Sequence, residues 1–98
     1  DRKLLSEEGM LVIIVTLNKS NRRLITDPDT ISRGFVFDPD STDLINEVNQ
    51  LVIATAAEWR DTDANYRNLK RKIKNAVEKM LYARTKRRPM ILPFIIQI

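Results

Sequence analysis

Side chains able to perform acid–base, nucleophilic or metal chemistry are sparse in this chain. It has no histidine and no cysteine. The commonest general base, the commonest metal ligand and the thiolate nucleophile are therefore missing, along with any disulfide framework. Carboxylates and lysines remain. Glu7-Glu8 and Asp38-x-Asp40 are acidic pairs that could hold magnesium or act as acid and base, but both fall in loop or helix-cap context. Gly9 and Gly34 are the only glycines, so no glycine-rich phosphate cradle can be built. The HExxH, GxxxxGK(S/T), GxSxG and GxGxxG spacings are all absent. What the chain offers in quantity is positive charge.

That charge is concentrated. Residues 60–88 hold eleven lysines and arginines against Asp61, Asp63 and Glu78, a net of +8, while the rest of the chain nets −4. Such polarity between segments points to an acidic partner for one surface. The ordinary alternative is that these side chains simply solvate an exposed helix face.

The elements that must position these groups follow from hydrophobic periodicity. Ninety-eight residues, 43% hydrophobic and 31% charged, make one soluble globular domain able to bury a single core. Residues 1–9 read as a polar lead-in. Met10–Leu17, MLVIIVTL, is the strongest strand signal and is apolar on both faces, as in a strand covered on both sides. The polar run at 18–22 (NKSNR) turns the chain back through 23–26, and Asp27-Pro28-Asp29 breaks or bulges the returning strand. Residues 31–37 (ISRGFVF) form a half-buried strand or extended loop. Gly34 implies positive φ or a close backbone approach, with a bulge as the plain reading.

Asp40, Ser41 or Thr42 is the N-cap of a first helix, with Asp43 in its first turn. Leu44, Val48, Leu51, Val52, Thr55 and Trp59 recur at helical spacing, flanked by Ile45 and Ala56. A polar connector at 60–65 leads to a second helix. Its apolar stripe runs through Tyr66, Leu69, Ile73, Ala76, Val77, Met80 and Leu81, and helix propensity is high over 69–83.

The chain closes on TKRRPMILPFIIQI, residues 85–98. Met90, Leu92, Phe94, Ile96 and Ile98 share one face, expected to be solid core, and the other face is mixed. Pro89 and Pro93 share a parity, so both missing N–H donors fall on one side. That predicts an edge strand with its proline side unpaired. The fold class is α+β in two layers: a small, mainly three-stranded sheet in ββααβ order with both helices on one face. The longest apolar run, about eight residues, falls well short of the ~20 that span a bilayer, and no signal-peptide shape is present. The expectation is a cytoplasmic chain that could be part of something larger, because it begins at Asp1.

Three segments, LLSEEGMLVIIVTLNK (4–19), ISRGFVF (31–37) and TKRRPMILPFIIQI (85–98), resemble the C-terminal domain of ribonuclease J, over essentially the whole chain and in the right order. That family comprises bacterial metallo-β-lactamase-fold, β-CASP ribonucleases. The resemblance implies a parent that processes and degrades RNA from 5′ ends and sometimes internally, in mRNA decay, with zinc held by histidines and aspartates in its catalytic domain. None of those ligand motifs lies here, so no catalytic, cofactor-binding or metal residue carries over, and the fragment alone is expected to be inert.

Two functions fit such a domain. The first is assembly with the parent's catalytic domains, another copy or a paralogous subunit, through the second apolar face of Met10–Leu17. Leu11, Ile13, Val15, Ile91 and Ile95 are the candidate interface residues. The second is contact with RNA phosphates through Lys70, Arg71, Lys74, Arg84, Lys86, Arg87 and Arg88, which neutralise charge without reading sequence. Tyr66 lies on the core stripe and Tyr82 is the other nearby aromatic, which favours backbone contact over base stacking. A free-standing α/β nucleic-acid-binding domain of unrelated ancestry is a weaker third reading.

Overall fold

The computed structural model describes residues 8–34 and 42–98. Among the described residues five elements follow in order: β1 (Met10–Leu17), β2 (Asp29–Arg33), α1 (Thr42–Arg60), α2 (Tyr66–Thr85) and β3 (Met90–Gln97). The sheet order is β2-β1-β3. β2 runs antiparallel to β1, and β3 runs parallel to it, in register from Met10↔Met90 to Leu17↔Gln97. This is the ββααβ order that the hydrophobic pattern predicts. The N-cap candidates Asp40 and Ser41, the pair Asp38 and Asp40, Glu7, and the aromatic end of the 31–37 segment lie outside the described residues.

The turn after β1 forms because Asn18 caps it. Its side-chain oxygen accepts the Ser20 N–H at 2.8 Å, and its carbonyl accepts the Arg22 N–H at 2.7 Å. The returning chain touches β1 only at the Leu17↔Leu24 bridge before β2 begins at the Ile14↔Asp29 pair. Three steps along β1 are matched by five on the return, so two extra residues bulge out around Asp27-Pro28. The expected return strand at 23–26 thus shrinks to one bridge, for the reason that proline supplies. Gly34 ends β2 at φ +69°, while a Cβ there would lie 3.5 Å from Gly9 Cα, an ordinary contact. Left-handed backbone, rather than lack of space, is what requires glycine at that position.

The core lies on one side of the sheet. Leu11, Ile13, Val15 and Leu17 of β1 are buried against Leu44, Val48, Val52, Ala56 and Trp59 of α1 and Leu69, Ile73, Val77 and Leu81 of α2. Both helical stripes therefore point where their spacing predicts. Asn65 caps α2, its side chain accepting the Asn68 N–H at 2.9 Å. β2 is tied to α1 by the Thr30 hydroxyl, which donates to Asn49 Oδ1 at 2.6 Å.

A clip joins the hairpin to the α1–α2 connector. Arg22, held at φ 64°, lays its guanidinium 3.6 Å from the centroid of the Trp59 ring. The same guanidinium donates to the Thr62 carbonyl at 2.9 Å and to the Ala64 carbonyl. The Trp59 indole N–H in turn donates to the Asn65 carbonyl at 2.9 Å, and its ring tilts against Tyr66.

Two expectations for β3 meet different outcomes. It is an edge strand, and its even-numbered residues bond to β1: Met90 N–H reaches the Gly9 carbonyl and Ile98 N–H reaches the Leu17 carbonyl. Pro89 and Pro93 therefore face the free edge, as predicted. The core face is the reverse of the one expected. Ile91 is buried and Ile95 packs against the core, whereas Phe94 and Ile96 are 51% and 45% exposed. Parallel register explains this, because Ile91 and Ile95 sit beside Leu11 and Val15, and the helices have taken that side.

Because adjacent β1 residues face opposite ways, Ile13→Ala should cost about 2–5 kcal/mol in urea unfolding, and Ile14→Ala about 1 kcal/mol or less. Arg22→Ala should cost about 1–3 kcal/mol, and Arg22→Lys should not restore it, since lysine lacks the planar fork that stacks and donates twice.

Candidate functional site

Two surfaces emerge from this packing. The first is the sheet face that the helices leave uncovered. Cross-strand neighbours share a face, so the register assembles Val12 between Ile31 and Leu92, and Ile14 between Asp29 and Phe94. Met10 pairs with Met90 and Thr16 with Ile96. Met10, Val12, Ile14, Thr16, Ile31, Met90 and Leu92 are half-buried, while Phe94, Ile96 and Ile98 are exposed. Phe94, Ile96 and Ile98 recur at every second residue, so their exposed apolar side chains lie together on one face instead of scattered over the surface. The predicted interface residues Leu11, Ile13, Val15 and Ile91 are not on it. They are fully buried beneath α1 and α2, and Ile95 packs against the same core. Both faces of β1 are apolar, so alternation shows that a surplus face exists without showing which one the helices leave.

The second surface is basic. Lys70 and Arg71 are exposed on the first half of α2. Arg84 instead pairs with Glu47 across the two helices, an exposed ion pair that adds little stability. The other candidates gather where α2 gives way to β3. Lys86 ends the helix in the left-handed region at φ 60°, its N–H donating to the Tyr82 carbonyl at 2.9 Å. The Arg87 N–H donates to Thr85 Oγ1 at 3.1 Å, and the Arg88 N–H donates to Glu8 Oε1 at 2.7 Å. The basic run is thus held as a defined turn.

That turn folds its cations over an aromatic ring. Arg88 Cζ lies 4.3 Å and Lys86 Nζ 5.3 Å from the centroid of Tyr82, which is 40% exposed. Beside them opens a cleft of about 540 Å³, lined by Lys74, Lys79 and Tyr82 from α2 and by Arg88, Pro89 and Met90 from the approach to β3. Lys79 and Tyr82 were not among the expected site residues. Their signal is present in the sequence, since Lys74, Glu78 and Tyr82 recur every four residues on one side of the helix and Lys79 lies three residues before Tyr82.

Among the described residues no group of three or more His, Cys, Asp or Glu side chains could hold an ion. The chain has no histidine or cysteine, the commonest zinc ligands. Among the described residues, no helix is long and apolar enough to cross a membrane.

Comparison with known proteins supplies the family. Residues 1–98 match the family described as the ribonuclease J C-terminal domain. The chain belongs to that family. It is 37% identical over 99 residues to ribonuclease J2 of Bacillus subtilis strain 168, and 39% identical over 102 residues to ribonuclease J 2 of Staphylococcus aureus strain NCTC 8325. All of this chain is covered in both comparisons, and it spans 18% of the length of each relative. For a ribonuclease J C-terminal domain, then, the two surfaces are the open sheet face and the basic cleft beside β3.

Proposed function

We propose that this chain is an assembly module, without catalytic residues of its own, of a ribonuclease J-like enzyme. In this reading the parent is a cytoplasmic, zinc-dependent exo- and endoribonuclease acting in RNA processing and mRNA decay. Its zinc and its catalytic groups belong to the catalytic domains, with which this module also makes contact. Family membership and the lengths of the named relatives support the parent's identity. The assembly role rests on one observation, the contiguous apolar face of Val12, Ile14, Leu92, Phe94 and Ile96.

The occupant that fits this face best is a second copy of itself. Among the described strand residues, charge on the face is confined to Asp29 and Arg33 on the outer strand, so two such faces meet without burying unpaired charge at the centre. Sheets pack face to face readily, and a two-fold axis would place Ile14 and Phe94 of each copy against the other. Each copy would hide on the order of 300 Å² of apolar area, roughly 15 kcal/mol for the pair at ~25 cal/mol per Å². Association costs about 4–15 kcal/mol, which leaves a balance of about 0–11 kcal/mol in favour of the pair. A paralogous subunit with a similar face pairs by the same chemistry.

Sedimentation velocity of the chain at rising micromolar concentration tests this. The sedimentation coefficient should climb toward that of a dimer, and Ile14→Lys or Phe94→Lys should hold it at the monomer value with an unchanged melting profile. A monomer throughout, or a dimer indifferent to both substitutions, would refute pairing through this face.

A further inference from the structure

We infer that the cleft between α2 and β3 binds single-stranded polynucleotide, with a base stacked on the Tyr82–Arg88 pair and the flanking phosphates held by Lys74 and Lys79. This site lies beside the apolar face and does not depend on its pairing.

Three observations converge on that ligand. The first is the platform. A guanidinium 4.3 Å from a half-exposed phenol ring presents a flat, cationic surface of the kind on which bases stack. The turn that carries Arg88 is fixed at both ends, by the Lys86 N–H on the Tyr82 carbonyl and the Arg88 N–H on Glu8. The platform is therefore built before any ligand arrives, which lowers the ordering cost of binding.

The second is charge at the right reach. Lys74 and Lys79 line the same cleft as Tyr82, and Lys86 adds a third amine 5.3 Å from the ring. Among the described residues Glu78 is the one acidic side chain in the lining, against Lys74, Lys79 and Arg88, so that lining is cationic on balance. Its volume of about 540 Å³ lies within the range of small-ligand pockets.

The third observation separates a polynucleotide from an acidic peptide. A peptide could add to the free edge of β3 with its carboxylates toward the lysines. The edge beside the cleft, however, carries Pro89 and Pro93, and both lack the N–H that strand addition needs. A polynucleotide uses no backbone ladder. It needs cations and a stacking surface, and the cleft supplies both.

The test is fluorescence anisotropy of the chain with a short labelled single-stranded oligoadenylate RNA at two salt concentrations. Tyr82→Ala should weaken binding about 5- to 100-fold, the range for loss of one base stack, while Tyr82→Phe should retain it. Arg88→Ala should behave like Tyr82→Ala. Lys74→Ala and Lys79→Ala should each reduce the salt slope of log affinity by about 0.7. Removing both Lys70 and Arg71, outside the cleft, should matter much less than Tyr82→Ala. Phe94→Lys should leave binding unchanged, which keeps this outcome separate from that of the apolar face. Indifference to Tyr82→Ala, or equal losses from every removed cation, would reduce the effect to diffuse charge and overturn the site. Tighter binding of a polyglutamate peptide than of the RNA would also overturn it.

Discussion

The structure depends on β1 being the middle strand of a three-stranded sheet while apolar on both sides. A central strand must satisfy its backbone on two edges, and β1 does so with an antiparallel β2 and a parallel β3. Two helices suffice to cover only one of its faces. Leu11, Ile13, Val15 and Leu17 go beneath them, and the next residue along each time, Val12, Ile14 or Thr16, is left on the other side. The hydrophobic effect that folds the domain thus also produces a residue of unmet apolar surface. β3 extends that surface because parallel register sets Leu92, Phe94 and Ile96 beside Val12, Ile14 and Thr16.

The two helices and the edge are linked by less obvious contacts. Arg22 stands in a left-handed turn position and stacks on Trp59, closing the hairpin onto the connector between the helices. At the other end of the sheet, the basic turn after α2 is tied by Glu8 to the approach of β1. These ties place a rigid frame around the strand. They also hold the cations of the turn against Tyr82 instead of leaving them dispersed in solvent. The apolar face and the basic cleft are therefore consequences of one arrangement, and Met90 touches both.

Much of this was legible in the residues. The helical stripes of Leu44 to Trp59 and Tyr66 to Leu81, the proline-marked edge and the element order all follow from periods of 3.6 and 2, which local patterns state directly. The face of β3 did not follow. Alternation assigns Met90, Leu92, Phe94 and Ile96 to one side but cannot say which side the helices take when Ile91 and Ile95 are apolar too. The interface residues were misplaced for that same reason. The aromatic platform was hidden differently, since Tyr82 and Arg88 lie six positions apart and meet only because Lys86 reverses the chain at positive φ. A turn of that kind at a lysine carries no strong sequence signal.

The most direct measurement of the central claim is methyl NMR of the chain with a soluble paramagnetic agent, at low and high protein concentration. The account predicts that Ile14 and Ile96 methyls are strongly relaxed in dilute solution and become shielded as concentration rises. Ile13 and Ile73 should remain shielded throughout. If Ile14 and Ile96 relax equally at every concentration, the surplus face of β1 has no partner in a second copy, and the account fails at its root.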